Sequence, residues 1–245
     1  MLIELDKKHK NFPQNHIVSQ LSKFFIEKPW GFRMVDQIDI LKGLINETEE
    51  EIINRVFNDL KNIFEIEDKE LVEFKDLWLQ ADNNCKGDLL EYVISNLGAY
   101  HFSHSSASYV NESRVYSIKK DDCINPINRL NDLDVVFFCN RNSIVENKRI
   151  SVCVKNGVEF HEAKKNVTNE IPANLEKDPN KRMKNKLELM RDIYLLYPEG
   201  KYFIPTFSSY IRPCQQYLDA HGYGFIEIIS VNQLLSRYFK KVASD

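Results

Sequence analysis

With 245 residues, 43% of them hydrophobic and 28% charged, the chain is long enough to bury a real core and to hold one large domain or two modest ones. A formal net charge of −3 excludes a global positive field, so any nucleic-acid binding has to rest on a local basic patch. No run approaches the roughly 20 apolar residues of a membrane span, and residues 1–8 lack the apolar stretch of a signal peptide. The five cysteines (Cys85, Cys123, Cys139, Cys153 and Cys214) are odd in number and include no CxxC pair, which suits a reducing compartment. The expectation is a soluble, cytoplasmic protein.

Residues 16–26 carry Ile17, Val18, Leu21, Phe24 and Phe25 close to helical spacing, and 35–45 form a second short amphipathic stretch. Thr48 with Glu51 three residues on makes a capping box. It opens a third helix running to about Ile63, with Ile52, Ile53, Val56, Phe57, Leu60 and Ile63 inward. Residues 64–74 then alternate on both sides of a charged Glu67-Asp68-Lys69 turn, a hairpin pattern. Three helices and a hairpin over residues 1–80 resemble a winged helix-turn-helix, a module that reads DNA with its third helix. Here that helix opens on Glu49-Glu50-Glu51, and carboxylates repel phosphates, so docking or dimerisation is the better reading of this domain.

Residues 76–86, with Asp82-Asn83-Asn84, read as a linker into a second domain over 85–245. A helix over 87–98 is stopped by Gly98; Leu90, Val93, Ile94 and Leu97 are its stripe and Glu91 lies beside it. His101 and His104 have HxxH spacing but no third ligand in register, so they read as structural. After a strand over 114–118, Asp134 leads into Val135-Val136-Phe137-Phe138-Cys139, the profile of a strand buried on both faces. Asp132, two residues earlier, shares the face of Asp134 and competes for its role. A strand over 150–154 and an Asn156-Gly157 turn follow.

Val158-Glu159-Phe160-His161-Glu162 alternates as a strand, and on an extended chain Glu162 and Lys164 project from one face, with Ala163 turned into the fold. Residues 181–196 form a helix with Met183, Leu187, Met190, Ile193 and Tyr194 inward. Its basic opening, Lys181, Arg182, Lys184 and Lys186, is the best phosphate-tracking candidate in an acidic chain, a solvated charged face being the alternative. A strand over 202–207, in which Pro205 lacks a ladder donor, a helix over 215–221, a strand over 224–229 and a closing helix over 231–239 complete the pattern.

A carboxylate beside an ammonium on a rigid strand suits metal-assisted phosphodiester hydrolysis. The order Glu91 on a helix, Asp134 at a strand start, then Glu162-Ala163-Lys164 on the next long strand resembles the PD-(D/E)xK, or restriction-endonuclease-like, nuclease superfamily, over roughly residues 85–230. Leu133, not proline, precedes Asp134, and the long gap to Glu162 needs an inserted hairpin. The resemblance implies an α/β (α+β) fold: a mixed sheet flanked by helices, preceded by the winged-helix-like domain. It implies Mg²⁺, replaceable by Mn²⁺, on Asp134, Glu162 and Glu91, and Lys164 orienting the attacking water. It also implies DNA, double-stranded, as partner, with Lys165, Arg182, Lys184 and Lys186 on the backbone and a homodimer as the form that cuts both strands. The competing reading is a catalytically silent nuclease-fold or winged-helix protein that binds DNA or a partner protein.

Overall fold

The computed structural model describes residues 1–101, 107–139, 144–146, 148–153, 157–167 and 182–242. Its first half runs β1 (Leu2–Asp6), α1 (Ile17–Glu27), α2 (Trp30–Lys42), α3 (Glu49–Phe64), α4 (Asp68–Gln80) and α5 (Asn83–Leu97). Six strands follow: β2 (Ala107–Lys120), β3 (Cys123–Pro126), β4 (Asp132–Cys139), β5 (Ile144–Glu146), β6 (Arg149–Cys153) and β7 (Val158–His161). The chain ends α6 (Arg182–Leu196), β8 (Lys201–Thr206), α7 (Arg212–Ala220), β9 (Ile226–Ser230) and α8 (Val231–Val242). The strands make one sheet in the order β5-β6-β1-β2-β4-β7-β8-β9, with β3 added onto β2. Pairing is antiparallel as far as β4–β7 and parallel for β7–β8 and β8–β9, so the fold is mixed α/β.

Both faces of the sheet are covered. Helices α1 to α5 and α8 pack on one side, where Val135, Phe137, Phe203, Phe207 and Ile229 join Phe25, Phe32, Trp78, Val93 and Leu234 in a continuous apolar cluster. Val136, Phe138, Phe160, Tyr202 and Ile228 point the other way, against Leu187, Met190 and Ile193 of α6 and Leu218 of α7. A period of two along each strand, matched to a period of three to four along each helix, sorts the side chains into these two layers. The first eighty residues share this core. The Phe207 ring lies 5.9 Å from Phe32 and 6.3 Å from Phe25. Buried Asp36 of α2 accepts the Ser209 hydroxyl at 2.5 Å and its N–H at 3.3 Å.

Several local expectations hold. The capping box at the start of α3 is formed, Thr48 Oγ1 accepting the Glu51 N–H at 3.3 Å and Glu51 Oε2 accepting the Thr48 N–H at 2.8 Å. Ile52, Ile53, Val56 and Phe57 are buried, but Ile63 in the last turn is 70% exposed. The hairpin expected over 64–74, and with it the wing, is absent. Glu65 ends α3 in the left-handed conformation (φ 53°), and a Glu67–Glu70 capping box opens α4. Buried Phe74 and Trp78, four apart, occupy one helical face, and their rings stack at 5.8 Å. The linker expected over 76–86 shrinks to Ala81 and Asp82, and Asp82 caps α5 by accepting the Cys85 N–H at 2.7 Å. Strand β1 was not legible as a strand. Its five residues alternate, with Ile3 and Leu5 fully buried, and they fill the middle of the sheet between β2 and β6. Among the described residues no helix is long and apolar enough to cross a membrane.

Candidate active site

Register brings the two acidic positions together. In the antiparallel β4–β7 pair Val135 faces His161, and one step further along both strands Asp134 comes beside Glu162. Strand β7 ends at His161, yet the chain stays on the sheet. The Glu162 N–H donates to the Phe203 carbonyl at 3.0 Å and the Lys164 N–H to the Pro205 carbonyl at 2.9 Å. Those alternate bonds hold Glu162 and Lys164 on one face, where Lys164 Nζ lies 2.8 Å from Glu162 Oε1. Ala163 turns the other way, and its N–H donates to Asp134 Oδ2 at 2.8 Å. Pro205 therefore works as an acceptor within a central strand: it lacks a donor, but its carbonyl anchors the lysine.

Lys186 completes this cluster, and its place corrects a sequence expectation. The sequence pattern makes it one of four cations at the basic opening of a helix, a phosphate-tracking stretch or, alternatively, a solvated face. It is 3% exposed, and its Nζ donates to Asp134 Oδ1 at 2.6 Å and to Glu162 Oε2 at 2.7 Å. The reason is helical phase: Lys186, Met190 and Ile193 lie on one stripe of α6, and the other two are buried in the core. A lysine in register with an apolar stripe was the available signal. Burial opposes the Lys186 charge, but Glu162 and Asp134 outweigh it and hold the ammonium above its ordinary pKa.

The opposite wall comes from α5 and the segment after β1. Lys10 Nζ lies 2.7 Å from Asp88, 3.0 Å from Glu112 and 3.4 Å from Glu91. Glu112 stands in the left-handed region (φ 44°) on β2, a conformation L residues seldom adopt. Between the walls is an open cleft of about 660 Å³, lined among others by Lys10, Asp88, Glu91, Asp134, Lys164 and Lys186. Burial and then the charge of Asp134 push the Glu91 carboxyl up to about 8, against the pull of Lys10 and Lys186. Glu162, fully buried, is pushed up to about 7 by desolvation and Asp134, with Lys164 and Lys186 opposing. Its Oε1 has the Lys164 ammonium near but no hydrogen-bond donor aligned with it.

Asp134, Lys164 and Glu91 thus line one cleft, and Glu162 lies fully buried behind it, in contact with Lys164 and Lys186. Asp132, the competitor of Asp134, is 39% exposed and pairs with Lys8 at 3.6 Å, outside the cluster. Lys165, expected on a phosphate backbone, lines the cleft and pairs with half-buried Asp39 at 2.9 Å. Arg182 and Lys184 lie on α6, but their side chains, like Lys181, His104 and Asn156, lie outside the described residues. The polar positions of β7 were read as one side of an alternating strand, yet Glu159 and His161 are fully buried. Glu159 accepts the N–H groups of Tyr100 and His101 at 2.8 and 2.6 Å, and His161 Nε2 lies 3.0 Å from it. These hydrogen bonds satisfy a carboxylate that would otherwise be costly inside the fold.

Comparison of the chain with known protein families, with curated proteins and with solved structures returns no match. Asp134 and Glu162 present oxygens that converge on one cationic atom, and Glu162 keeps a buried oxygen without an aligned donor. Hard carboxylate oxygens converging in this way fit a divalent ion such as Mg²⁺. They amount to a pair: among the described residues no group of three or more His, Cys, Asp or Glu gathers at metal-holding spacing.

Proposed function

We propose that the protein is a metal-dependent endonuclease that hydrolyses phosphodiester bonds in DNA, with a restriction-endonuclease-like core drawn largely from residues 85–245 and completed by β1. The observation that carries this reading is the convergence of Asp134 and Glu162 on one cation, with Lys164 fixed beside Glu162 at the wall of an open cleft. Asp134 and Glu162 would hold Mg²⁺ or Mn²⁺, and Glu91 would add a carboxylate from the facing wall. When bound, such an ion lowers the pKa of its water and neutralises charge on the phosphate.

The chain's own residues do the rest. The Ala163 N–H fixes the rotation of the Asp134 carboxylate. The Lys164 ammonium, held through its backbone by Pro205, orients the attacking water and offsets charge on the phosphoryl oxygens as the bond breaks. Burial of the carboxylates keeps competing water from screening these charges. A second reading is a catalytically silent binder of DNA or a partner protein. It is favoured by Lys186, which already neutralises Asp134 and Glu162, and by Lys165, which Asp39 already pairs.

Cleavage of duplex DNA in Mg²⁺ by wild type, Asp134→Asn and Lys164→Ala separates the two. The endonuclease reading expects Lys164→Ala to cut about 10²–10⁴-fold more slowly while still binding DNA, the range typical of a lost proton-handling group. Wild-type protein that binds DNA without cutting it favours the silent binder. Cutting that persists unchanged in both variants moves the site elsewhere.

A further inference from the structure

The ammonium of Lys186 stands where the proposed function needs a divalent cation. Its Nζ touches one oxygen of Asp134 and one of Glu162, and its side chain is 3% exposed. Among the described residues no other cation of the cluster is placed the same way. Lys164 meets Glu162 alone, Lys10 is held by three carboxylates of the facing wall, and Lys165 is held by Asp39. A divalent ion and this ammonium cannot both sit between the same two oxygens, because like charges in contact within a poorly screened site repel strongly. The lysine stem is long and flexible, and it opens on the cleft, so its head can swing while α6 stays in place.

A displaced ammonium needs a new anion. Glu91, close enough to feel the charge of Lys186, already shares Lys10 with Asp88 and Glu112. A phosphodiester entering the cleft would bring a fresh negative charge. We propose that Lys186 is a resident counter-ion that competes with the divalent ion for Asp134 and Glu162, and that a nucleic-acid phosphate receives the displaced ammonium, so that ion and nucleic acid bind cooperatively. Thermodynamic reciprocity then requires that each raises the affinity of the other. In this arrangement the empty site stays neutral and weakly metal-binding until substrate arrives. The inference rests on the metal-dependent reading of the cleft.

Isothermal titration of the full chain with Mn²⁺ tests it, with and without a phosphorothioate-linked duplex oligonucleotide. For wild type, the duplex should tighten Mn²⁺ binding about tenfold or more, within the usual range of coupling between sites. Lys186→Met should bind Mn²⁺ about tenfold more tightly than wild type in the absence of the duplex, and the duplex should add little further. Lys186→Arg keeps the positive charge and should stay as weak as wild type. If Lys186→Met needs Mn²⁺ to recover its near-ultraviolet circular dichroism, the ion is replacing the lost ammonium and the inference stands. Wild-type binding that ignores the duplex, or a methionine variant that binds Mn²⁺ no more tightly, overturns the competition while leaving the metal site intact. If no variant binds Mn²⁺ in any mixture, the metal-dependent reading falls, and the competition with it.

Discussion

Glu91→Gln offers a test whose sign depends on the electrostatics of the cleft. Glu91 lies on α5 with 15% of its side chain exposed, beside Asp134 and 3.4 Å from Lys10. Desolvation and the Asp134 charge raise its pKa from an ordinary 4.5 to about 8. A carboxyl raised on folding binds more protons in the native chain than in the unfolded one. Stability therefore falls as the pH climbs from about 4.5 to about 8, and is level above that. At about 1.36 kcal/mol for each pH unit, the full loss is roughly 4–5 kcal/mol. A glutamine escapes that loss, in which the opposing pull of Lys10 is already included, and solvent at the open cleft reduces it further. Lys10 keeps Asp88 and Glu112 in either case.

The expected net gain for Glu91→Gln is about 2–4 kcal/mol at pH 9 and close to zero at pH 5. In a chain of this length that corresponds to a melting temperature higher by roughly 5–10 °C at the alkaline end. Urea unfolding at pH 5, 7 and 9 in the presence of a chelator measures it directly. A variant less stable than wild type by the same amount at every pH would refute the reasoning. That outcome would mean that Glu91 is ionised throughout and held by Lys10.

Two further outcomes follow from the shared core. A fragment spanning 85–245 should fail to give a cooperative melt by circular dichroism, because it lacks β1, whose removal leaves β2 and β6 without their common neighbour. Asp36→Ala should cost about 1–3 kcal/mol in urea unfolding, since it strands the Ser209 N–H and hydroxyl beneath α2. A loss smaller than about 0.5 kcal/mol would mean that solvent replaces the carboxylate there.

Local sequence carried much of the site because its signals are short-range. Asp134 ahead of five apolar residues marks a buried strand, and β4 runs through them after starting two residues earlier, at Asp132. Glu162 and Lys164, two apart on extended backbone, share a face for the same stereochemical reason, and their side chains meet at 2.8 Å. Thr48 and Glu51 announced a helix start because a capping box satisfies donors within a single turn. Where two periodicities fit the same residues, the pattern misled. Apolar residues over 64–74 alternate as a hairpin would, but a left-handed Glu65 and the Phe74–Trp78 spacing gave a helix.

Contacts between distant segments decided the remainder. Nothing near Leu2–Asp6 announces that it sits mid-sheet, since its partners lie more than a hundred residues away. Lys165, a candidate phosphate contact by sequence, has an ion-pair partner that only the docking of α2 supplies, Asp39. Lys186 looked like a surface charge until α6 docked on the sheet and buried it between two carboxylates. Backbone alternation and capping depend on neighbours along the chain, and so the order of residues alone determines which side chains share a face. Which charges neutralise one another depends on docking, because packing decides which opposite charges come within reach, and a charge buried without a partner is costly.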